Sequence, residues 1–345
     1  MQESVLIGDI TEDFTSTKKV LEKKYLGYAL LLIPFSMLLI IFDQLGGGFV
    51  SSIVENPEKT HILNYFFHFP HAMMTFISLF FDKGYLKYYF SDFPIGKITL
   101  IILAYSTIIL HTFSYFIIFS VLLGFHFSKQ QYGIERIILG EKAQVKKYST
   151  IIMGFFFSVT YYVSVFSGPF EHNLIIKDFL LHNEFWGHFK YPLYLFFAGI
   201  ALFELEKDLK IFKDGIERFY VIGNFIFLLY IPFVFELKYY WVAAGIPRMI
   251  HDLSSFYLYS IHDQNRNSHK QNNLLLKIVT FNRRLPFILW LLLPFLLASF
   301  QGKCYGIVTS FTANLTFMGF AMLHFCTESI IWKKNGPLLQ NLLGK

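Results

Sequence analysis

Histidine is the residue through which this sequence is most able to do chemistry. The chain has twelve histidines, and several lie within long apolar stretches where an ionisable group is costly. His68 and His71 are three residues apart, while His324 and Glu328 are four apart. Residues at these spacings share one face of a helix, so each pair can bind the same metal ion without straining the backbone. The pattern predicts a metal site between helices.

Three further histidines and two aspartates extend this hypothesis. His126 ends an apolar stretch, and His251 and His262 are each followed directly by an aspartate, Asp252 and Asp263. On a straight helix His251 and His262 would stand about 16 Å apart, so we expect only one of them to bind the ion unless the segment bends near Pro247. The candidate metal ligands are His68, His71, His126, His251, His262 and His324. The candidate catalytic carboxylates, which would complete the ligand set or move protons, are Asp252, Asp263 and Glu328.

The types of ligand restrict the metal. Imidazole and carboxylate suit iron, copper or zinc. Thiolate ligation is not expected, because the chain has only two cysteines, Cys304 and Cys326. Iron is the expected metal if the reaction is oxidative, whereas a hydrolytic centre would favour zinc and a metal-activated water.

The elements that position these residues are predicted to be transmembrane helices. The chain is 54% hydrophobic, 20% aromatic and only 16% charged. Long apolar stretches in a bilayer must form helices, because no water is present to satisfy the backbone. We expect an all-α polytopic bundle with a polar N-terminal segment, 1–24, and one transmembrane domain, 25–345. Its nine predicted segments are 25–43, 62–81, 98–127, 149–167, 191–205, 218–237, 239–262, 285–300 and 305–332.

The basic loops predict the orientation and the depth of the histidines. Loops 128–148 and 264–284 are rich in Lys and Arg, and the positive-inside rule places both in the cytoplasm. The net charge of +6 follows from such loops and does not indicate nucleic-acid binding. This topology brings one set of histidines to a single depth near the inner interface: His68, His71, His126, His262 and His324.

The histidine-bearing segments resemble those of the membrane-bound fatty-acid desaturase and hydroxylase group, whose non-heme diiron centre is held by histidines. The resemblance rests on His68-x-x-His71, His126, His251, His262 and His324. It implies oxidation of a lipid or other apolar substrate, with an electron donor as a further partner. The chain departs from that group because it contains no adjacent His-His pair. Carotenoid-cleaving membrane oxygenases, with four histidines on one iron, are a looser similarity.

Four functions fit these residues. The first is a membrane metalloenzyme, in which Phe256, Tyr257 and Tyr259 would line an apolar substrate cleft. The second is a b-type haem protein using His111 and His126, fifteen residues apart. The third is a transporter with a His/Asp proton relay, although no inverted repeat is visible. The fourth is an acyltransferase that uses one buried histidine as a base.

Overall fold

The computed structural model describes separate parts of the chain. The described residues are 20–48, 69–90, 102, 113–154, 183–267, 323–325, 327–328, 331–332 and 336–343. Segment 285–300, most of 149–167 and 305–332, and the first 19 residues lie outside this part. So do His68 and His111.

The described residues confirm an all-α protein. The helices are α1 Lys23–Leu45, which includes a 3-10 turn at Ala29–Leu31, α2 Phe69–Phe80, α3 Lys83–Phe90, α4 Phe113–Leu139, α5 Asn183–Ile211, α6 Gly215–Glu236, α7 Tyr240–Asn267 and α8 Pro337–Leu343. Residues 147–154, 323–325 and 327–328 are also helical. A 3-10 segment, Gly140–Lys146, follows α4 directly.

Two of the described helices are long and apolar enough to cross a membrane. These are α1, with mean hydropathy 2.2, and α6, with 1.8. The same criterion is met by core helices of soluble proteins and, near an N-terminus, by signal sequences, so it is weak evidence of a membrane protein. The nine-segment bundle therefore stays a prediction.

The prediction of a loop at 128–148 is wrong, because α4 continues into this stretch as far as Leu139. Ile134, Ile137 and Ile138 are buried there. Their spacing of three and four residues places them on one helical face, which packs into the core. The charges in this stretch had suggested a loop, but Lys146 is itself buried in an ion pair.

Helix α7 occupies the centre of the described part, where it contacts α1, α2, α4, α6 and α8. It stays a single helix through Pro247. Helices α1 and α6 approach closely at Gly223, where a Cβ atom would lie 2.7 Å from Leu30 Cδ1. Burying an aliphatic side chain such as Leu30 contributes about 1.5–3 kcal/mol, so this packing holds α1 against α6.

Candidate metal centre

Four histidines from four separate segments meet in one cluster. His71 comes from α2, His126 from α4 and His251 from α7, while His324 comes from the helical residues 323–325. The ring centroids are 4.6 Å apart for His71 and His324, and 5.2 Å for His71 and His251. They are 5.4 Å apart for His126 and His251, and 5.3 Å for His126 and His324. The four imidazoles thus form a closed ring of neighbours.

Two carboxylates join these imidazoles. Glu328, one helical turn after His324, places Oε1 3.6 Å from His71 Nε2 and Oε2 3.7 Å from His126 Nε2. Asp252 is fully buried, and neither of its oxygens has a hydrogen-bond donor among the described residues. Its closest described cation is Arg248, whose Nε lies 4.0 Å from Asp252 Oδ2. A buried carboxylate without a hydrogen bond is costly unless a cation balances its charge.

The ligand atoms are close enough to hold metal. Atoms of His71, His126, His324 and Glu328 all lie within 4.8 Å of one another, and so do atoms of His71, His251 and Asp252. Ligands at about 2.0–2.2 Å from a zinc-sized ion lie at most roughly twice that distance apart, so small shifts bring each group into contact with one ion. His71 belongs to both groups. The donor set therefore fits a metal ion, and it contains nitrogen and oxygen ligands only.

Glu328 is held by two hydroxyl groups: that of Thr75, which the sequence pattern does not single out, and that of Tyr259, which was predicted to line a substrate cleft instead. Tyr259 Oη donates to Glu328 Oε1 at 2.8 Å, and Thr75 Oγ1 donates to the same oxygen at 3.1 Å. Both bonds fall on Oε1, so Oε2 faces His126. Helical spacing carried this information: Thr75 lies four residues after His71, and Tyr259 eight after His251.

Aromatic rings cover the outer faces of the imidazoles. Phe127 stacks on His251, with centroids 5.2 Å apart and an interplanar angle of 16°. Phe325 stacks on His126 at 4.5 Å and 28°. Such packing fixes ring orientation and limits the access of water to the cluster.

His262 and Asp263 do not join this cluster. The predicted topology places His262, and not His251, at the depth of the other histidines, and in this respect the prediction is wrong. His262 Nδ1 lies 2.8 Å from Asp263 Oδ1, and its Nε2 lies 2.7 Å from Tyr85 Oη. Ser78 Oγ donates to Asp263 at 3.0 Å. The physical reason is the unbroken helix α7, which keeps His262 three turns beyond His251. Asp252, rather than Asp263, is the aspartate beside the imidazoles.

This second polar group positions the C-terminal helix instead. Asn341 of α8 donates to Tyr85 Oη at 2.9 Å, and Asn265 donates to the carbonyl of Asn341 at 3.0 Å. Arg266 Nε pairs with Asp82 Oδ2 at 2.9 Å. The network therefore joins α2, α3, α7 and α8 next to the metal candidates.

A third polar group holds the 3-10 segment after α4. Lys146 Nζ lies 2.7 Å from Glu135 Oε1 and 2.5 Å from Asp208 Oδ2. Burial alone would lower the pKa of Lys146, but these two carboxylates outweigh it and raise the pKa above its ordinary value. Lys146 is therefore a structural cation that ties α4 to α5.

Comparison with known proteins finds no family, no characterised protein and no solved structure that matches this chain. The function is therefore inferred from the residues and their geometry.

Proposed function

We propose that this protein is a membrane-embedded, metal-dependent oxidoreductase acting on a lipid or other apolar substrate at the cytoplasmic side, with iron as its metal. The observation that carries the proposal is the buried cluster of His71, His126, His324 and Glu328, with His251 and Asp252 beside it. Binding a cation is the simplest reason for four imidazoles and two carboxylates from distant parts of the chain to meet.

The roles of the residues follow from their contacts. The imidazoles and Glu328 would bind the metal, and iron held by such nitrogen and oxygen ligands supplies one-electron and oxygen chemistry. Tyr259 and Thr75 orient Glu328 through Oε1. Asp252 is the candidate that would balance the charge of the metal or accept a proton. Phe127 and Phe325 keep water from the imidazoles.

The membrane part of the proposal is supported by large apolar side chains that face outward. On α1, Phe35 and Phe42 are 59% and 66% exposed, and on α5, Phe196 and Phe203 are 60% and 61% exposed. Exposed apolar patches of this kind indicate a lipid or protein contact. We propose that they face lipid in a bundle of about nine segments, with the basic stretches 128–148 and 264–284 in the cytoplasm.

The proposal is tested by the metal content of the purified protein. Mass spectrometry and an absorption spectrum would be recorded for the wild type, for His324→Ala and for His262→Ala. His262 is an equally buried histidine outside the cluster, so it controls for loss of packing. We expect bound iron in the wild type and in His262→Ala, and a large reduction in His324→Ala.

Other outcomes would contradict the proposal. Folded wild-type protein that carries no metal, and takes up none when iron, copper or zinc is added, would refute it. A Soret band would show haem instead. Equal metal loss in both variants would show that the cluster is not the site.

A further inference from the structure

An apolar cavity lies between α5 and α6. Its volume is about 380 Å³, within the usual range of roughly 300–1,000 Å³ for small-molecule sites. Its walls are almost entirely aliphatic and aromatic, and they include Ala198, Leu228 and Met153. The exception is Glu236, which accepts a hydrogen bond of 3.0 Å from Tyr191 Oη.

A smaller cavity of about 70 Å³ lies next to this site. The two cavities share Met153 and Leu228 as wall residues, so they adjoin. The wall of the smaller cavity also contains Phe127, whose ring stacks on His251 at 5.2 Å. One aromatic ring therefore separates the cavities from the candidate metal centre.

The charged side chains in the wall of the smaller cavity are mostly acidic: Glu135, Glu204 and Asp208, with Lys146 as the one cation among the described wall residues. Lys146 pairs with Glu135 and Asp208, and Lys207, which lies outside the wall, pairs with Glu204 at 3.6 Å. With the exposed Glu236 of the first cavity, four carboxylates lie against two lysines among the described residues, so the net charge around the site is negative. Placing a like charge against this excess of carboxylates is unfavourable, so the site disfavours an anion such as a fatty-acid carboxylate. Gln131 and Asn224 offer hydrogen bonding to an uncharged group.

We propose that the two cavities bind one uncharged, single-chain amphiphile of the long-chain alcohol class. Its hydrocarbon chain would occupy the larger cavity, and its hydroxyl group would lie in the smaller one, next to Phe127. This inference rests on the proposed function only where it names such an amphiphile as the substrate. Binding of the amphiphile itself needs no metal.

The test measures saturable binding of tritium-labelled 1-dodecanol to the full-length protein in a steroid-based detergent, both metal-depleted and metal-loaded. Ala198→Trp fills the larger cavity, and we expect it to weaken binding at least about tenfold, since overpacking a site costs about 1–3 kcal/mol. Leu202→Trp is the matched control because Leu202 lies one turn further along α5 and is 55% exposed. It should bind like the wild type.

Competition by dodecanoate tests the charge argument. We expect dodecanoate to bind at least about tenfold more weakly than dodecanol, because a like charge in the site is unfavourable. Glu204→Gln removes the carboxylate that pairs with Lys207 at 3.6 Å and leaves the charge of that lysine uncompensated near the site, so the difference in affinity should narrow about fivefold, from a charge–charge energy of about 1 kcal/mol. Equal affinity of the wild type for the two probes would overturn the inference, and so would unchanged binding in folded Ala198→Trp.

The failure of this inference is distinguishable from failure of the proposed function. Dodecanol binding by protein that takes up no metal would refute the enzyme alone. Metal uptake without saturable dodecanol binding would refute the cavity assignment alone.

Discussion

Replacing Tyr259 by Phe removes one hydroxyl group from the candidate metal centre and leaves the ring in place. That hydroxyl donates to Glu328 Oε1 at 2.8 Å, and afterwards only the 3.1 Å bond from Thr75 remains among the described donors to this oxygen. A hydrogen bond to a charged group contributes about 1.5–3 kcal/mol. Part of this is recovered when Glu328 relaxes, so we expect metal affinity to fall about 10- to 100-fold, the usual effect of losing a partner of a ligand.

The assay is a Co²⁺ titration of metal-depleted protein, followed by visible absorption and by competition with a chelator. Tyr85→Phe is the control, because its hydroxyl contacts His262, outside the cluster, and Tyr85 is as deeply buried as Tyr259. We expect Tyr85→Phe to keep the affinity of the wild type. Wild-type affinity in Tyr259→Phe, or an equal loss in both variants, would refute the assigned role of the hydroxyl.

Two further predictions concern the scaffold. Lys146→Met leaves two buried carboxylates without their shared cation, so the free energy of unfolding should fall by about 3–5 kcal/mol, and a loss below about 1 kcal/mol in denaturant titrations would contradict the structural role of the lysine. Gly154→Ala should lower the free energy of unfolding by about 1–3 kcal/mol, because the added Cβ would lie 2.9 Å from Ser128 Cα. Gly133→Ala has no atom within 4 Å of its new Cβ and should be neutral or stabilising, so equal thermal shifts in the two alanine variants would refute this packing.

The candidate site was predictable to the extent that local helical geometry determines it. The spacing of His324 and Glu328 predicts a shared helical face, and the structure places both beside His71. Choosing between His251 and His262 needed the depth and rotation of α7, which depend on packing against five other described helices. The histidine nearer to the predicted inner interface was therefore selected, although His251 is the one whose ring neighbours His71 and His126.

The fold was predictable as a class, and its boundaries were less so. Continuous apolar stretches predicted the helices α1 and α6 to within a few residues. Charge misled the prediction after residue 127, because Lys146 and Glu135 neutralise each other inside the protein instead of facing water. The burial of Lys146 also depends on its contact with Asp208, which lies 62 residues further along the chain. Local composition does not indicate such a contact.

The candidate centre is assembled from residues far apart in the sequence, and this determines when it can exist during synthesis. Thr75 and Glu328, which hydrogen-bond each other, are 253 residues apart. A ribosome adding about 5–20 residues per second needs roughly 13–50 s to make the segment between them. His71 is made before that interval, and His126 and His251 are made during it, but Glu328 only at its end. Metal loading of the complete set is consequently possible only after α1 to α7 have been made.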